Sequence, residues 1–460
     1  MKYNFNILQI KAIFWSPVEP FAVKSSSLKM QLFERADVSV TIHEKLNRVI
    51  PLESSQYCIF KVHNLLRQVN MKAYEPEIIS IGPYHRGKAD LQMMEEHKLR
   101  YLNLFLDRKK ENVTTYLSAM KLLEQKARTC YAEPIGLSSD EFVEMLVLDG
   151  CFIIELLSRF KEWLNSRDGN SDPLFKMEWI LNSLQRDLML FENQLPFFVL
   201  LELCKMIEIP GQDNGFISLA LQFFSDLLPG RGTKGKIGNL HDDFKHLLDL
   251  IHRNWSSISL ELEHEPNKDV TRNTGDLKLI HCATELKEAG IKFEKMDETV
   301  LFDIVFNNGL LRIPTMIFED RTESFLRNLM AYEQYSVDTQ HNIVTDYVTF
   351  FGCLIHSAKD VTILSHRGIV HNLVGDNEAV SRIFNKMNVC IVGPSRNFCY
   401  AEIFRRVNVY CDRRMNRWMA KLRRKYMDSP WGVISIIAAS LLLLFTLTQM
   451  IFQILPSKRH

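Results

Sequence analysis

The nine cysteines of this 460-residue chain form no Cys-X-X-Cys pair and no ladder of short spacings. That excludes a disulfide framework and the usual zinc-binding spacings. Several sit inside apolar runs, as Cys151 does in LDGCFII, so they are expected to be free thiols packed as small hydrophobes in a reducing compartment. A secretory leader is also missing: NILQIKAIFW is broken by Lys11 and no small-residue cleavage site follows. The sequons at Asn112 and Asn254 are accordingly expected to stay unmodified. Net charge is nearly absent, at +1, and no basic surface stands away from the C-terminal end, so no nucleic-acid partner is expected. There is no internal repeat. With 46% hydrophobic and 24% charged residues, the composition excludes a disordered or collagenous chain and suits two or three folded domains.

A long charge-free run does occur, once. From Trp431 to Leu455 the chain reads WGVISIIAASLLLLFTLTQMIFQIL between Pro430 and Pro456. At ~1.5 Å per residue this would cover a hydrocarbon core of ~30 Å, and it predicts a C-terminal transmembrane helix. Arg413, Arg414, Arg417, Lys421, Arg423, Arg424 and Lys425 precede it against Asp412 and Asp428. They predict a basic helix lying on anionic lipid headgroups, with the large N-terminal part in the cytosol.

Apolar periodicity gives the rest of the organisation. Residues 1–55 carry little periodic signal and read as a poorly ordered extension. Residues 56–209 read as a first helical region. It holds helices through KLRYLNLFLDR, through EFVEMLVLDGCFIIELLSRF, and through MEWILNSLQRDLMLFENQLPFFVLLELCKM, which Pro196 should kink or split. Residues 210–275 read as a loop-rich hinge or insertion around one helix, HDDFKHLLDLIHRNW. In 276–410 the period changes: LFDIVF alternates, Asn307-Asn308-Gly309 supplies a hairpin turn, and LLRIPTMIF returns with Pro314 at an edge or bulge. Asp320 and Glu323 then read as the capping box of a helix through SFLRNLMAYEQ. Segments 411–429 and 430–456 are the basic helix and the anchor. The expected fold class is mainly α, with a small antiparallel β hairpin and one C-terminal transmembrane helix.

Candidate chemistry is thin. Gly230, Gly235 and Lys236 fit the spacing of a phosphate-binding loop, but Ile237 replaces the magnesium-holding hydroxyl and the preceding SLALQFFSDLLP reads as helix, not strand. Asp242, His246 and Asp249 share one helical face and offer metal-ligand spacing; the amphipathic pattern reads them as its solvated side. His281 and Cys282 point ~100° apart on a helix and read as a surface imidazole beside a core thiol, not a nucleophile with its base. Polar residues on apolar faces are more informative. Asp149 falls within the stripe from Phe142 to Phe160, and Asp187 and Gln194 share a face with Leu184, Phe191 and Phe198. Two such acids in one pocket could do acid–base work, but a hydrogen-bonded network fixing helix register satisfies the same burial. Asp149, Asp187 and Gln194 are assigned to that structural network. No catalytic, cofactor-binding or metal-binding residue is assigned, and no cofactor.

Many separated stretches together resemble one family. AYEPEIISIGPYHRGKADLQMMEEHKLRYL, MLVLDGCFIIELL, RDLMLFENQLPFFVLLEL, HCATELKEAGIKF, LRIPTMIFEDRTESFLRNLMAYEQ, VTDYVTFFGCLI, AKDVTIL and SPWGVIS look, in that order, like the plant domain-of-unknown-function 247 family. The resemblance covers roughly Cys58 to Leu455. CIFKVHNLLR departs from it, with His63 where the family more often has a proline. The resemblance implies a plant protein, mostly helical and C-terminally membrane-anchored, and brings no catalytic residues. Some relatives are implicated in self-incompatibility recognition in grasses, which implies binding rather than turnover. The expected function is a membrane-anchored, non-catalytic recognition module with a protein partner and the lipid bilayer as its contacts. The alternative is an enzyme of unknown class using the acidic pair or Lys236.

Overall fold

The computed structural model describes residues 57–110, 112–165, 172–207, 215–227, 243–260, 277–296, 301–336, 342–390, 398–413 and 430–454. Met1–Ser55 and Gln56–His460 are separate units, and the first lies outside the described residues, as do Gly230, Gly235, Lys236 and Asp242.

One helix organises the first half. Helices α1 (Asn64–Val69), α2 (Gln92–Lys109) and α3 (Val113–Arg128) lead into α4 (Ser139–Asn165). Helix α4 begins at a capping box that neutralises two of its unsatisfied amides. The Glu141 carboxylate accepts from Ser138 N at 2.8 Å, and the Ser138 hydroxyl accepts from Glu141 N at 3.3 Å. From Met145 to Leu157 every side chain is buried, so α4 is a core helix enclosed on all faces, not an amphipathic surface helix. Around it pack α2, α3, α6 (Phe197–Ile207) and α7 (Gly215–Phe223), with Tyr101 on Phe152 and Phe160 on Phe223 at ring separations of 5.0 and 4.9 Å.

Gly150 marks the crossing of α4 and α6, where a Cβ would lie 2.3 Å from Leu203 Cδ1. Gly150→Ala gains up to ~1 kcal/mol of helix propensity and incurs about 1–3 kcal/mol of overpacking, so a net loss of stability is expected. Adding Leu203→Ala should relieve the clash. A double-mutant cycle of unfolding free energies checks this: the pair must be more stable than the sum of the single changes.

The segment expected to be one Pro196-interrupted helix is two helices, α5 (Glu178–Asp187) and α6. They are joined by an irregular stretch, Leu188–Pro196, in which every residue is buried. The break therefore starts well before the proline.

The second half adds α8 (Leu247–Leu260), α9 (Ala283–Glu288), α10 (Thr322–Tyr335), α11 (Ile343–Leu354), α12 (Ala358–His366), α13 (Asn377–Met387) and α14 (Ala401–Asp412). The β part comprises β1 (Lys292–Met296), β2 (Val305–Asn307), β3 (Leu310–Pro314), β4 (Met316–Phe318) and β5 (Val370–Asn372). The β2–β3 hairpin turns at Asn308 and Gly309, both at positive φ (47° and 82°), as a two-residue primed turn requires. Parallel pairings, β1 on β3 and β4 on β5, accompany it. β3 is thus the central strand of its sheet, and Pro314, expected at an edge or bulge, stands at its end, where its missing N–H ends the ladder. The Asp320 capping box is absent too: α10 starts at Thr322 with Arg321 at its cap, and Glu323 instead pairs with Arg327 and Asn70. One hydrophobic core runs from Ile59 to Cys411 through both halves.

The transmembrane expectation is overturned. The C-terminal run is helical, α15 (Pro430–Ile454), but no helix among the described residues is long and apolar enough to cross a membrane. The fold class is mainly helical, with no membrane-spanning helix among the described residues. Of the ends of the expected span, Leu455 lies outside the described residues and Trp431 is described in backbone only. Among the basic residues before it only Arg413 is described, over the Tyr410 ring. Arg414, Arg417, Lys421, Arg423, Arg424 and Lys425 lie outside.

Candidate functional site

Two irregular segments, 75–91 and Leu188–Pro196, would expose many polar backbone groups to the core. Buried side chains satisfy them. The Asp187 carboxylate accepts from three successive amides, Glu77, Ile78 and Ile79, at 2.8–3.1 Å, and from Arg186 Nη1 at 2.7 Å. Burial pushes its carboxyl up to about 6 against these donors. Asp149 accepts from Gly82 N at 2.8 Å and from Lys98 Nζ at 2.6 Å, and Lys98 also donates to Ser80 O and Glu95. Burial raises the Asp149 carboxyl in spite of Lys98. Asn193 exchanges bonds with Ile79 O and Ile81 N, while Gln194 donates to Leu188 O and Leu190 O and accepts from Leu248 N. Asp149 and Asp187 thus anchor different parts of one loop, 77–82. Neither lines the cleft described next.

Held on that frame is a cleft of about 880 Å³ beside α1. Its floor is a chain of charges. Arg67 spans two carboxylates, Glu75 at 2.6 Å and Glu192 at 2.5 Å. Glu192 also accepts from Val62 N at 2.6 Å, and Lys88 pairs with Glu75. Between the two acids lies the His85 ring, 2% exposed, with Nε2 3.3 Å from Glu192 and Nδ1 3.8 Å from Glu75. Neither ring nitrogen is aligned for a hydrogen bond. Burial works against the Glu75 carboxylate, but Lys88 and Arg67 overcome it and hold it at about 2. Glu192 is buried as well, yet His85, Val62 N–H and Arg67 keep it below the usual carboxylate range. Tyr84 and Tyr335 form the walls, with Lys61 over the Tyr84 ring and paired with Glu133 at the rim.

Sequence reasoning missed Arg67, Glu75, His85 and Glu192. A signal was present: Glu192, Asn193 and Gln194 stand together inside an apolar run. Read as helix, they were spread around its faces, whereas the segment is irregular and all three are buried. Gln194 and Asp187 therefore share no helical face. His63, where a proline was expected, keeps the φ of −60° that a proline ring imposes and caps α1 by accepting from Leu65 N. Its own N–H donates to Tyr335 OH at 3.0 Å, a bond a proline could not make.

The other candidates fall elsewhere. His246 and Asp249, read as solvated, are fully buried. His246 Nε2 lies 3.2 Å from Cys58 O, and Asp249 accepts from Tyr332 OH at 2.7 Å and Arg253 at 2.8 Å. His281 is exposed and paired with Glu285, while Cys282, only partly buried rather than in the core, stands at the N-cap position of α9 without a side-chain capping bond. No group of ligands suited to a metal ion occurs among the described residues.

Residues 59–445 match the family described as plant protein of unknown function, DUF247. A UPF0481 protein of Arabidopsis thaliana is 34% identical over 425 residues, covering 87% of each chain. A putative UPF0481 protein of the same plant is 24% identical over an alignment of 526 positions, covering 92% of this chain and 96% of the relative. No solved structure matches.

Proposed function

The chain belongs to the DUF247 family of plant proteins of unknown function, and from that premise we propose that it is a non-catalytic recognition module whose cleft beside α1 receives a segment of a protein partner. The observation that carries this reading is the mutual pairing of the cleft's charges: Arg67 between Glu75 and Glu192, Lys88 on Glu75, Lys61 on Glu133. A general acid or base works best with a pKa near the working pH; Glu75 is held at about 2 and Glu192 is also lowered, so both are fixed charges. Two tyrosine walls over a floor of paired charges suit a protein contact, in which tyrosines supply area at low entropic cost. Met71 lines the cleft and is exposed, whereas Leu122 on α3 is exposed away from it. A photo-crosslinking residue at position 71, expressed in plant cells, should capture discrete proteins that the same residue at position 122 does not. Identical capture from both positions, or none from position 71, overturns the reading.

One observation favours a second reading. The His85 ring is buried between two carboxylates with both nitrogens free of hydrogen bonds, an arrangement that could move a proton for a small substrate. His85→Gln separates the two: a recognition module keeps its crosslinked partner in this variant, while an enzyme loses its biological activity with folded protein intact.

A further inference from the structure

Cys58 and Cys130 face each other across a short parallel contact. Ile59 and Tyr131 form a parallel bridge, with Ile59 N donating to Cys130 O at 3.0 Å and Ala132 N donating to Ile59 O at 3.0 Å. This register sets Cys58 directly opposite Cys130. Opposed residues of paired parallel segments lie ~4.8 Å apart with side chains on the same side, inside the Cα range of ~4.4–6.8 Å that a disulfide spans without backbone movement. Both cysteines are free and only partly buried.

We propose that Cys58 and Cys130 are a dithiol modification site, at which a hydroperoxide forms a reversible intramolecular disulfide. The roles of the two sulfurs differ. The interaction between the two sulfurs favours the Cys130 thiolate, while the same interaction and burial raise Cys58. Cys130 is therefore the attacking sulfur. Its thiolate attacks one peroxide oxygen, the O–O bond breaks, and hydroxide leaves as a sulfenic acid forms. The Cys58 sulfur then attacks the Cys130 sulfur, the S–O bond breaks, and a second hydroxide leaves. Two thiol protons convert the two hydroxides into water. Hydrogen peroxide thus takes up the two electrons that the thiols lose, and a dithiol reductant reverses the change.

The fold contains its own comparison. Cys151 and Cys204 also lie close enough to interact, but both are buried and burial pushes both thiols up, so they should be unreactive. Cys58 also opens the segment 58–71 that runs along the cleft through Lys61, Val62 and His63. A disulfide would tie that wall to the turn after α3, whatever the cleft binds.

The test is peptide mapping of the full chain after limited hydrogen peroxide, without reduction. The expected product is a single linked pair of Cys58 and Cys130 peptides, lighter by two hydrogens and lost on treatment with a dithiol reductant. In Cys58→Ser, a dimedone adduct should appear at Cys130, since the sulfenic acid has no partner. In Cys130→Ser, Cys58 should stay unmodified. Amides of 58–63 should exchange hydrogen more slowly in the oxidised protein. The proposal is overturned if wild-type protein with unchanged circular dichroism forms no such link, or if oxidation falls first on Cys282, Cys399 or the Cys151–Cys204 pair.

Discussion

Asp149→Ala is expected to lower the unfolding free energy by about 3–5 kcal/mol, because it leaves the ammonium of Lys98 charged and stranded in the core. Lys98 and Asp149 are 0% and 1% exposed and 2.6 Å apart. Removing the acid also leaves Gly82 N without its acceptor. Gly82 sits at φ +72°, close against Gln194: a Cβ there would meet Gln194 O at 2.7 Å. Part of the charge is retained by Glu95, 2.7 Å from Lys98, which argues for the lower half of the range. Removing both charges is a different experiment. Lys98→Met with Asp149→Leu strands no ion, and should recover most of the loss. Urea unfolding followed by circular dichroism gives all three values. A loss below about 1 kcal/mol in Asp149→Ala would mean that water already reaches the pair and that it does not hold the 77–82 loop.

The helices were legible in the sequence wherever burial is one-sided or continuous. LDGCFII in α4 and the apolar spacing of α2 both report core contact directly, and Asn308-Gly309 fixes the hairpin because few residue pairs accept two positive φ values. The parallel partners were not legible, since β1 pairs with β3 across a gap in sequence and short strands carry little period. The cleft was hidden for a related reason. Arg67 stands on the short helix α1, while Glu75 and His85 come from one irregular segment and Glu192 from another, and irregular segments have no periodicity from which to infer that side chains converge. Asp187 and Gln194 were placed on one face because helical geometry was extended past Asp187, where the helix ends. The terminal run shows the limit of composition: an apolar stretch predicts a span only if a helix of sufficient length and hydropathy follows, and none does among the described residues.

His246 should make the protein less stable at pH 5 than at pH 7 by about 2 kcal/mol, the difference expected for one group whose pKa is about 4 in the folded chain and 6.5 when exposed. Burial is the main cause. It outweighs the attraction of Asp249, and Lys245 and Arg253 add to the lowering. The hydrogen bonds agree with a neutral ring. Asp249 N donates to Nδ1 at 3.2 Å, so that nitrogen carries no proton, and Nε2–H is left to donate to Cys58 O. The sign follows from the depressed value. Above pH 6.5 both states are neutral and the contribution is complete; below it the unfolded chain takes up a proton that the folded chain refuses until about pH 4, and stability falls through that interval. Asp187 and Asp346 run the other way. Burial raises both carboxyls to about 6, so each favours the folded state below its unfolded pKa and loses that contribution as pH rises through 6. The measurement must therefore be a difference. His246→Gln can keep both hydrogen bonds, its amide donating to Cys58 O and its carbonyl accepting from Asp249 N, but it does not titrate. Urea midpoints at pH 5 and pH 7 should show the wild type losing about 2 kcal/mol more than this variant. Equal losses would mean that His246 is already protonated in the folded state, with its ring turned so that Nδ1 no longer faces Asp249 N.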